Sequence, residues 1–433
     1  MHFLYYRHGK LHCEDVDLAR VAEKFGTPTY VYSAGTILDH LTRLNGALAT
    51  LDHLICYAVK ANSNRSILKL LADAGAGFDI VSGGELFRVL AAGGDPAKCT
   101  FAGVGKSPEE IEYAVELGVY SFNIESESEL EHIDRIAGAK NLRAPIALRA
   151  NPDVDPHTHE YISTGSRENK FGIALGQLPA AYERAAEMRN IDIIGVQMHI
   201  GSQITEAAPF ANAIKKLAPI VRELKSKYPI KFFSIGGGMG IIYRRALESG
   251  SGKWWHDHGG ETSAFSIRDY ADAIVPPLRE LNLRILVEPG RFLVGNAGVL
   301  LARVSYIKKS GAKKFAIVDA GMNDLIRPAL YRSYHEIVPV KETRSERESK
   351  IDIVGPVCES GDFFALDREM PELHEGDLLA IMSAGAYGFV MASNYNSRPL
   401  PSEVLVRSDK FALIRQRQTW EDLVRGEVEA SLL

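Results

Sequence analysis

A lysine stands at the end of an apolar run, in Tyr57-Ala58-Val59-Lys60-Ala61-Asn62. The run 54–59 predicts a short buried strand, and the polar residues that follow predict a helix over about 65–74. A lysine at the carboxyl end of a barrel strand points to where such folds carry out chemistry, and its amine can form a Schiff base. Taken alone, however, Lys60 is explained more simply as a strand-end lysine in solvent, so other segments must decide.

Two further segments place reactive or flexible groups after predicted strands. His199 ends one strand, where its ring could stack on a planar cofactor, act as an acid or base, or serve as a hydrogen-bonded structural residue. The run Gly236-Gly237-Gly238-Met239-Gly240 follows the next strand. Adjacent glycines let backbone N–H groups approach an anion, and barrels often bind phosphate after their seventh and eighth strands. This position favours a phosphate loop over a simple tight turn.

The segment Glu288-Pro289-Gly290-Arg291 follows the eighth predicted strand. A carboxylate there could accept a hydrogen bond from a protonated ring nitrogen, which would make the ring a better electron sink. Arg291 could hold a carboxylate or phosphate as a fork. The alternative is a Glu–Arg surface pair of little energetic consequence.

Polar loops in the last part of the chain are less specific. In Cys358-Glu359-Ser360-Gly361-Asp362 the thiol is either a small apolar filler or an acid in a glycine-bounded loop. The loops 384–388 and 394–399 are rich in Tyr and Asn, and each is equally compatible with turn chemistry.

Strand-like and helical runs alternate between about residue 34 and residue 291, as expected for parallel strands joined by helices. The pattern predicts a (β/α)₈ barrel, with a capped helix starting at Ser107-Pro108-Glu109-Glu110. The predicted barrel strands are 54–60, 77–82, 99–104, 121–124, 146–150, 193–199, 231–235 and 284–287.

The rhythm then changes to strands with few helices, which indicates a second, antiparallel β domain of barrel or sandwich type. The predicted fold class is therefore α/β plus all-β, with a TIM-like barrel over 34–282 and a β domain over 283–433. The further strands are 3–6, 29–32, 299–308, 314–319, 349–354, 377–382 and 403–406, with helices at 18–25 and 418–425. Tyr243–Thr262, which contains Trp254-Trp255-His256, fits neither pattern and predicts a long surface loop.

Composition excludes several classes of function. The chain has 433 residues, 46% hydrophobic and 24% charged, and its net charge of −5 argues against nucleic-acid binding. No apolar run reaches the length of a membrane span, and the N-terminus lacks the plan of a signal peptide. The four cysteines are scattered, which argues against a disulfide framework or metal site and favours the cytoplasm.

Taken together in this order, the motifs give a specific resemblance over nearly the whole chain. The sequence resembles the fold-type III pyridoxal-phosphate decarboxylases, and among them the branch that acts on meso-diaminopimelate. The segments that carry the resemblance are Tyr57–Asn62, Asn169–Gly172, His199–Ile204, Gly236–Gly240, Glu288–Arg291, Met322–Tyr331, Cys358–Asp362 and Ala384–Pro399.

The resemblance implies a pyridoxal 5'-phosphate enzyme that converts meso-2,6-diaminopimelate to L-lysine and carbon dioxide, the last step of lysine biosynthesis. It implies a homodimer with shared active sites, the segment 1–33 joining the β domain, and no metal. Lys60 would form the Schiff base, Glu288 would bind the ring nitrogen, and Cys358 would donate the proton from the partner chain. The implied cofactor-binding residues are Lys60, Asp79, His199, Ser202, Gly238, Glu288, Pro289, Gly290, Arg291 and Tyr387. The implied substrate-binding residues are Arg291, Arg327, Tyr331, Tyr387 and Glu359, the last from the partner chain.

Three alternatives remain open at this point. A sister decarboxylase would act on ornithine, arginine, a carboxylated polyamine or a carrier-bound amino acid, whereas Arg327 favours a substrate with a second carboxylate. A racemase of this fold is disfavoured by Glu288, since the racemases that this fold resembles have an arginine, not a carboxylate, at the ring nitrogen. A pyridoxal-phosphate carrier resembles a barrel alone, and the β domain with Cys358 argues against it.

Overall fold

Strands and helices alternate up to about residue 294, and strands predominate beyond it. The computed structural model describes residues 2–154, 170–252, 254, 266–342 and 348–430. The strands are β1 (Leu4–Arg7), β2 (Lys10–Cys13), β3 (Val16–Asp17), β4 (Thr29–Ser33), β5 (His53–Ala58), β6 (Gly77–Ile80), β7 (Cys99–Phe101), β8 (Ser121–Ile124), β9 (Ala144–Asn151), β10 (Ile173–Ala174), β11 (Ile191–Met198), β12 (Phe232–Ser234), β13 (Arg284–Val287), β14 (Gly298–Ser310), β15 (Lys313–Val318), β16 (Ile337–Pro339), β17 (Glu348–Val354), β18 (Phe363–Pro371), β19 (Leu378–Ile381), β20 (Ser402–Arg407) and β21 (Lys410–Arg415). The described α-helices are α1 (Leu18–Phe25), α2 (Ala34–Ala47), α3 (Arg65–Asp73), α4 (Gly83–Ala91), α5 (Pro108–Glu116), α6 (Glu127–Ala139), α7 (Leu178–Glu187), α8 (Ala208–Lys227), α9 (Ile267–Arg279), α10 (Arg291–Val294), α11 (Arg327–Tyr331) and α12 (Trp420–Leu423).

The chain divides into a barrel unit and a β unit. The barrel unit comprises Leu38–Ile241 and His258–Leu293, and the β unit comprises Met1–Ile37, Ile242–Asp257 and Val294–Leu433. Among the described residues, no helix combines the length and the apolar character that crossing a bilayer requires.

Eight parallel strands close the barrel in the order β5-β6-β7-β8-β9-β11-β12-β13, with β13 pairing back to β5. The predicted TIM-like barrel is confirmed, and all eight predicted strands are present. β8 and β13 have the predicted bounds, whereas β7 ends at Phe101 rather than at residue 104. β5 ends at Ala58, and Lys60 lies in a 3₁₀ turn over Val59–Ala61.

Local sequence explains where the barrel helices begin. The predicted capping box is confirmed at α5, where the Ser107 hydroxyl accepts a hydrogen bond from the Glu110 N–H and the Glu110 carboxylate accepts one from the Ser107 N–H. At α3 the Asn64 side chain accepts a hydrogen bond from the Ser66 N–H. The segment after Lys60 therefore leads directly into α3, whose first turn is capped by Asn64.

The barrel interior changes character along the strands. Towards the amino ends it holds an apolar cluster of Leu54, Cys56, Ala147, Phe232 and Leu286. Further along the strands, buried polar side chains replace the branched apolar residues that usually fill such barrels. They are Asp79, Thr100, Asn123, Arg149, Gln197 and Ser234. The carboxyl ends of the strands therefore close on a polar layer.

The β unit contains a sheet of order β18-β17-β15-β14-β4-β20-β21, with β19 also pairing to β14 and β16 to β19. A small sheet, β1-β2-β3, lies in the same unit. Most pairings are antiparallel, while β15–β17 and β4–β20 are parallel. β4 lies between β14 and β20, so the N-terminal segment is a central strand of this sheet. The predicted all-β domain is confirmed.

Two details of the β unit differ from the prediction. The helix predicted over 418–425 is wrong at both ends, because Thr419 caps a single turn at Trp420–Leu423. In the described part of the predicted surface loop Tyr243–Thr262, Glu248–Gly250 forms a 3₁₀ turn, and Ala246 and Trp254 are buried. The rest of that segment, including Trp255, and Asn169 of the resemblance lie outside the described residues.

Candidate active site

Lys60 and Asp79 form an ion pair at the carboxyl end of the barrel. The Lys60 Nζ lies 2.7 Å from the Asp79 Oδ2, and Asp79 is 1% exposed while the Lys60 side chain is 40% exposed. β5 and β6 are in register at Ala58 and Asp79. The 3₁₀ turn then carries Lys60 past the end of β5, so a buried carboxylate holds an accessible amine.

Glu288 follows β13 and is buried between two polar donors. The Ser234 Oγ donates to its Oε1 at 2.6 Å, and the Gln197 Nε2 donates to its Oε2 at 3.1 Å. Burial, and then the negative charge of Asp79, raise the pKa of Glu288 to about 7, with Ser234, Lys60 and Gln197 opposing the rise. A cationic N–H placed against this carboxylate would find it held in position and would favour its ionised form.

The turn after Glu288 fixes it beside the end of β5. The Ala58 N–H donates to the Pro289 carbonyl at 3.1 Å. A Cβ on Gly290 would lie 3.0 Å from the Ala61 Cβ, so a larger residue would push the turn away. Pro289 and Gly290 therefore position the carboxylate relative to the turn that carries Lys60.

His199 packs on the glycine-rich loop as a neutral imidazole. The Gly237 N–H donates to the His199 Nδ1 at 3.3 Å, which leaves the ring proton on Nε2. Burial, and the positive charges of Arg149 and Lys60, hold the pKa of His199 well below its usual range. At neutral pH the side chain therefore offers a flat uncharged face.

The loop Gly236–Gly240 requires glycine for two reasons. Gly238 has a φ of +111°, and a Cβ there would lie 2.5 Å from the Gly201 carbonyl oxygen. Nearby, the Arg291 Nη2 donates to the Ser202 Oγ at 3.0 Å, and Arg291 is buried. Bare backbone, a hydroxyl and a guanidinium together are donors suited to a phosphate group.

Sequence reasoning missed four residues that support this site: Gln197, Ser234, Arg149 and Glu125. The Arg149 Nη1 lies 2.6 Å from the Glu125 Oε1, and both side chains are buried. The Glu125 Oε2 also accepts from the Gly172 N–H at 2.9 Å, and the Arg149 guanidinium lies over the Phe171 ring. The available signal was a polar residue inside or just after an apolar strand run.

The remaining predicted site residues lie in the β unit. Arg327 begins α11, is buried, and donates through Nη2 to the Ser333 Oγ at 3.2 Å. Its guanidinium lies 5.3 Å from the Tyr243 ring centroid and 5.9 Å from that of Tyr331. Aromatic faces thus enclose a buried cation. Tyr387 lies in the loop after β19 with a φ of +56°.

Cys358 and Glu359 occupy an exposed loop whose base is firmly held. Asp362 accepts hydrogen bonds from the N–H groups of Met322 and Val357, each at 2.6 Å. The Cys358 N–H donates to the Asn396 Oδ1 at 2.8 Å. The exposed thiol is therefore not the buried apolar filler that its sequence context allowed.

Comparison with known proteins identifies the family. The model of the pyridoxal-dependent decarboxylase, pyridoxal binding domain, matches residues 34–295. The diaminopimelate decarboxylase of Pseudomonas aeruginosa is 50% identical over 98% of both chains, and that of Aquifex aeolicus is 44% identical over 99% of this chain and 98% of the relative. The chain belongs to the diaminopimelate decarboxylase family.

Solved structures of this family agree with the fold. Diaminopimelate decarboxylase from M. jannaschii in co-complex with L-lysine has a TM-score of 0.91 at 36% identity, covering 99% of this chain and 98% of that one. The Helicobacter pylori enzyme complexed with L-lysine has a TM-score of 0.87 at 41% identity, covering 94% and 98%. The predicted family is confirmed, and pyridoxal phosphate is its cofactor.

The barrel unit fits that cofactor. The glycine loop with Ser202 and Arg291 supplies donors for a phosphate, the buried Glu288 supplies an acceptor for a ring N–H, and Lys60 supplies an accessible amine. These groups follow four barrel strands, with Glu288 and Arg291 both after β13, so the closed sheet brings them to one end.

Proposed function

We propose that this enzyme removes one carboxyl group of meso-2,6-diaminopimelate as carbon dioxide and releases L-lysine, the last step of lysine biosynthesis. Near-full-length relatives at 44–50% identity support it, as do two related enzymes whose structures hold L-lysine. The observation that carries the proposal is the grouping of Lys60, Glu288 and the phosphate donors at the carboxyl end of one barrel.

Each residue of the barrel site has a proposed share in holding the cofactor. Lys60 would bind its aldehyde carbon, His199 would lie on the ring face, and Glu288 would accept the ring N–H. When bound, pyridoxal phosphate supplies an electron-poor ring that delocalises the electron pair left by the departing carboxylate. The phosphate and its surroundings would be held by Ser202, Gly238, Pro289, Gly290 and Arg291, with Asp79 beside Lys60 and Tyr387 from the β unit.

Glu288 would keep the ring cationic. Its pKa of about 7 reflects burial of a lone negative charge, so a cationic N–H beside it would be stabilised as an ion pair. Ser234 and Gln197 donate to the two carboxylate oxygens and so fix the orientation of the carboxylate. A buried carboxylate at this position is the reason to favour a decarboxylase over a racemase.

Asp79 would hold the Lys60 amine ready. Before the cofactor binds, the ion pair at 2.7 Å keeps the amine at the barrel mouth. Once the substrate amine takes the place of Lys60, the lysine amine would return to the same carboxylate. This gives the free amine a defined position from which it can rebind.

Residues of the β unit would bind the substrate and donate the proton. Arg327, enclosed by Tyr243 and Tyr331, would bind the distal carboxylate of the substrate, assisted by Arg291 and Tyr387. Because Cys358 and Glu359 are exposed on a fixed loop, we place them in the active site of a second subunit, so that the enzyme works as a homodimer. There Glu359 would bind the distal ammonium and the Cys358 thiol would protonate the carbon.

A sister decarboxylase acting on ornithine or arginine is the second candidate. Such a substrate carries no distal carboxylate, and a buried guanidinium at Arg327 would then have no substrate anion to bind. The arrangement around Arg327 therefore favours a diacid substrate.

The test is lysine formation from meso-diaminopimelate with added pyridoxal phosphate. Lys60→Ala should abolish turnover, whereas Lys69→Ala, which removes an exposed lysine of α3 paired with Asp73, should leave it unchanged. Carbon dioxide release from ornithine or arginine but not from meso-diaminopimelate would refute the proposed substrate. Full activity of Lys60→Ala would refute the proposed role of Lys60 and the assignment of the active site.

A further inference from the structure

Four polar side chains in the barrel interior each have one atom without a partner. The Asp79 Oδ1, Thr100 Oγ1, Asn123 Nδ2 and Gln197 Oε1 are buried and make no hydrogen bond to any residue that the structure describes. Each of the four residues is at most 1% exposed. Buried polar groups in proteins are almost always paired, so four such atoms in one interior require an explanation.

Strand pairing shows that three of the four residues are neighbours. Asp79 on β6 is in register with Thr100 on β7, and Thr100 is in register with Ser121 on β8. Asn123 lies two residues further along β8 on the same face, where the Ser121 hydroxyl reaches its Oδ1 at 3.4 Å. These side chains therefore line one side of the barrel interior.

Gln197 on β11 faces them from the opposite wall. Going round the closed sheet, β11 lies four strands from β6, and an eight-stranded barrel is just wide enough for side chains to meet across it. Asp79 and Gln197 both act on Glu288, the first by its charge and the second by a hydrogen bond. Both residues therefore act on the same buried carboxylate from different strands of the barrel.

The side chains on this wall of the barrel are short. Thr100 and Asn123 occupy interior positions where such barrels usually carry branched apolar residues. Next to them, Ser121 and Ala147 are also small, and Ala147 is in register with Asn123. Short, mostly polar side chains therefore line this part of the interior.

We propose that buried water binds here and joins Asp79 to Gln197. The four atoms match the hydrogen-bonding capacity of water: it donates to the carboxylate of Asp79 and to the amide oxygen of Gln197, and accepts from Asn123 and Thr100. Internal waters typically make two to four such bonds. A bound cation does not fit, because the Asn123 Nδ2 presents hydrogens to the site.

The water completes a continuous chain of hydrogen bonds. Asp79 binds Lys60 through Oδ2 and the water through Oδ1, and Gln197 binds the water through Oε1 and Glu288 through Nε2. The chain therefore runs from Lys60 through Asp79, water and Gln197 to Glu288. On the proposed function, it links the amine that holds the cofactor to the carboxylate at the ring nitrogen.

The chain makes the Gln197 amide a stronger donor to Glu288. A water that donates to the Gln197 Oε1 polarises the amide, which stabilises the ionised Glu288. Asp79 and Lys60 also act on Glu288 by their charges, and the buried Cys56 beside it is affected in turn by Glu288, Asp79, Cys99 and Arg284. Removing the water leaves these residues in place, so a change in the ionisation of Glu288 would report on the loss of the water-mediated link.

The test uses crystals of the apo-enzyme, because water binding does not depend on which substrate the enzyme accepts. We expect electron density within hydrogen-bond distance of at least three of the four atoms, and loss of that density in Thr100→Val, which keeps the side-chain shape and removes the hydroxyl. Direct pairing of the four side chains with one another would overturn the proposal. A peak at the 2.3–2.6 Å typical of calcium ligands would also overturn it.

A second measurement follows Glu288 in solution. Infrared titration of its protonated carboxyl band, assigned with Glu288→Gln, should give a higher midpoint in Thr100→Val than in the wild type. As a matched control, Thr50→Val removes a hydroxyl that binds Arg279 on the barrel surface and should leave the midpoint unchanged. An unchanged midpoint in Thr100→Val would overturn the link to Glu288. Failure of meso-diaminopimelate turnover would overturn the proposed function and leave the water site standing.

Discussion

Ser234→Ala removes the shorter of the two hydrogen bonds to Glu288 and should make that carboxylate harder to ionise. The Ser234 Oγ donates to Glu288 at 2.6 Å and accepts from the Gly236 N–H at 3.3 Å, inside a fully buried environment. A hydrogen bond to a charged group contributes about 1.5–3 kcal/mol, and one to a neutral group about 0.5–1.5 kcal/mol. The ionised form therefore loses roughly 1–1.5 kcal/mol more than the neutral form.

That difference corresponds to a rise of about one unit in the pKa of Glu288, since one unit is 1.36 kcal/mol. Burial already raises this pKa from 4.5 to about 7. A carboxyl group with a raised folded-state pKa lowers stability as pH rises from its unfolded value to its folded value, and the loss is complete above the folded value. The variant should therefore be destabilised more at pH 8 to 9 than below pH 5.

Two assays check this reasoning. Urea unfolding of the apo-enzyme across that pH range should show the pH-dependent difference between variant and wild type. The affinity for pyridoxal phosphate should fall as the pH is lowered, and the midpoint of this fall should lie about one pH unit higher in Ser234→Ala than in the wild type. Equal destabilisation at all pH values, together with an unchanged midpoint, would refute a role of Ser234 in the ionisation of Glu288.

Three further predictions concern other parts of the site. Because His199 is neutral and accepts at Nδ1, His199→Phe should keep cofactor affinity better than His199→Ala by up to about tenfold, and equal losses would contradict ring stacking. Arg149→Met leaves the Glu125 carboxylate buried without its cation and should lower the free energy of unfolding by about 3–5 kcal/mol; adding Glu125→Gln should restore most of it in the same urea assay. Mixing inactive Lys60→Ala with inactive Cys358→Ala, followed by subunit exchange, should recover about a quarter of wild-type activity, because half of the dimers would then hold one intact site. No recovery would place the thiol in its own subunit.

Much of the barrel could be predicted because its signals are local. Apolar runs and helix caps repeat along the chain, and the strand β13 and the capping box of α5 appear at the predicted residues. Lys60, Gly236–Gly240 and Glu288 lie after strands in the sequence, and parallel strands in a barrel bring such positions to one end. Their shared location therefore followed from order along the chain.

The supporting residues could not be predicted in the same way. Ser234 and Gln197 hold Glu288 from positions 54 and 91 residues earlier in the chain. Which side chains meet inside a barrel depends also on the tilt and stagger of the closed strands, which the local pattern of a single strand does not give. The helix predicted over 418–425 was wrong for a related reason, since a cap at Thr419 starts a turn that no packed face extends.

Sequence by itself determined the family, the order of the strands and the residue types available for chemistry, because these depend on residue identity and local pattern. Tertiary structure alone decided the protonation of the site. It made His199 neutral, raised the pKa of Glu288 and paired Lys60 with a buried carboxylate. The physical reason is that ionisation depends on burial and on neighbouring charges, and both arise only when distant strands close into one interior.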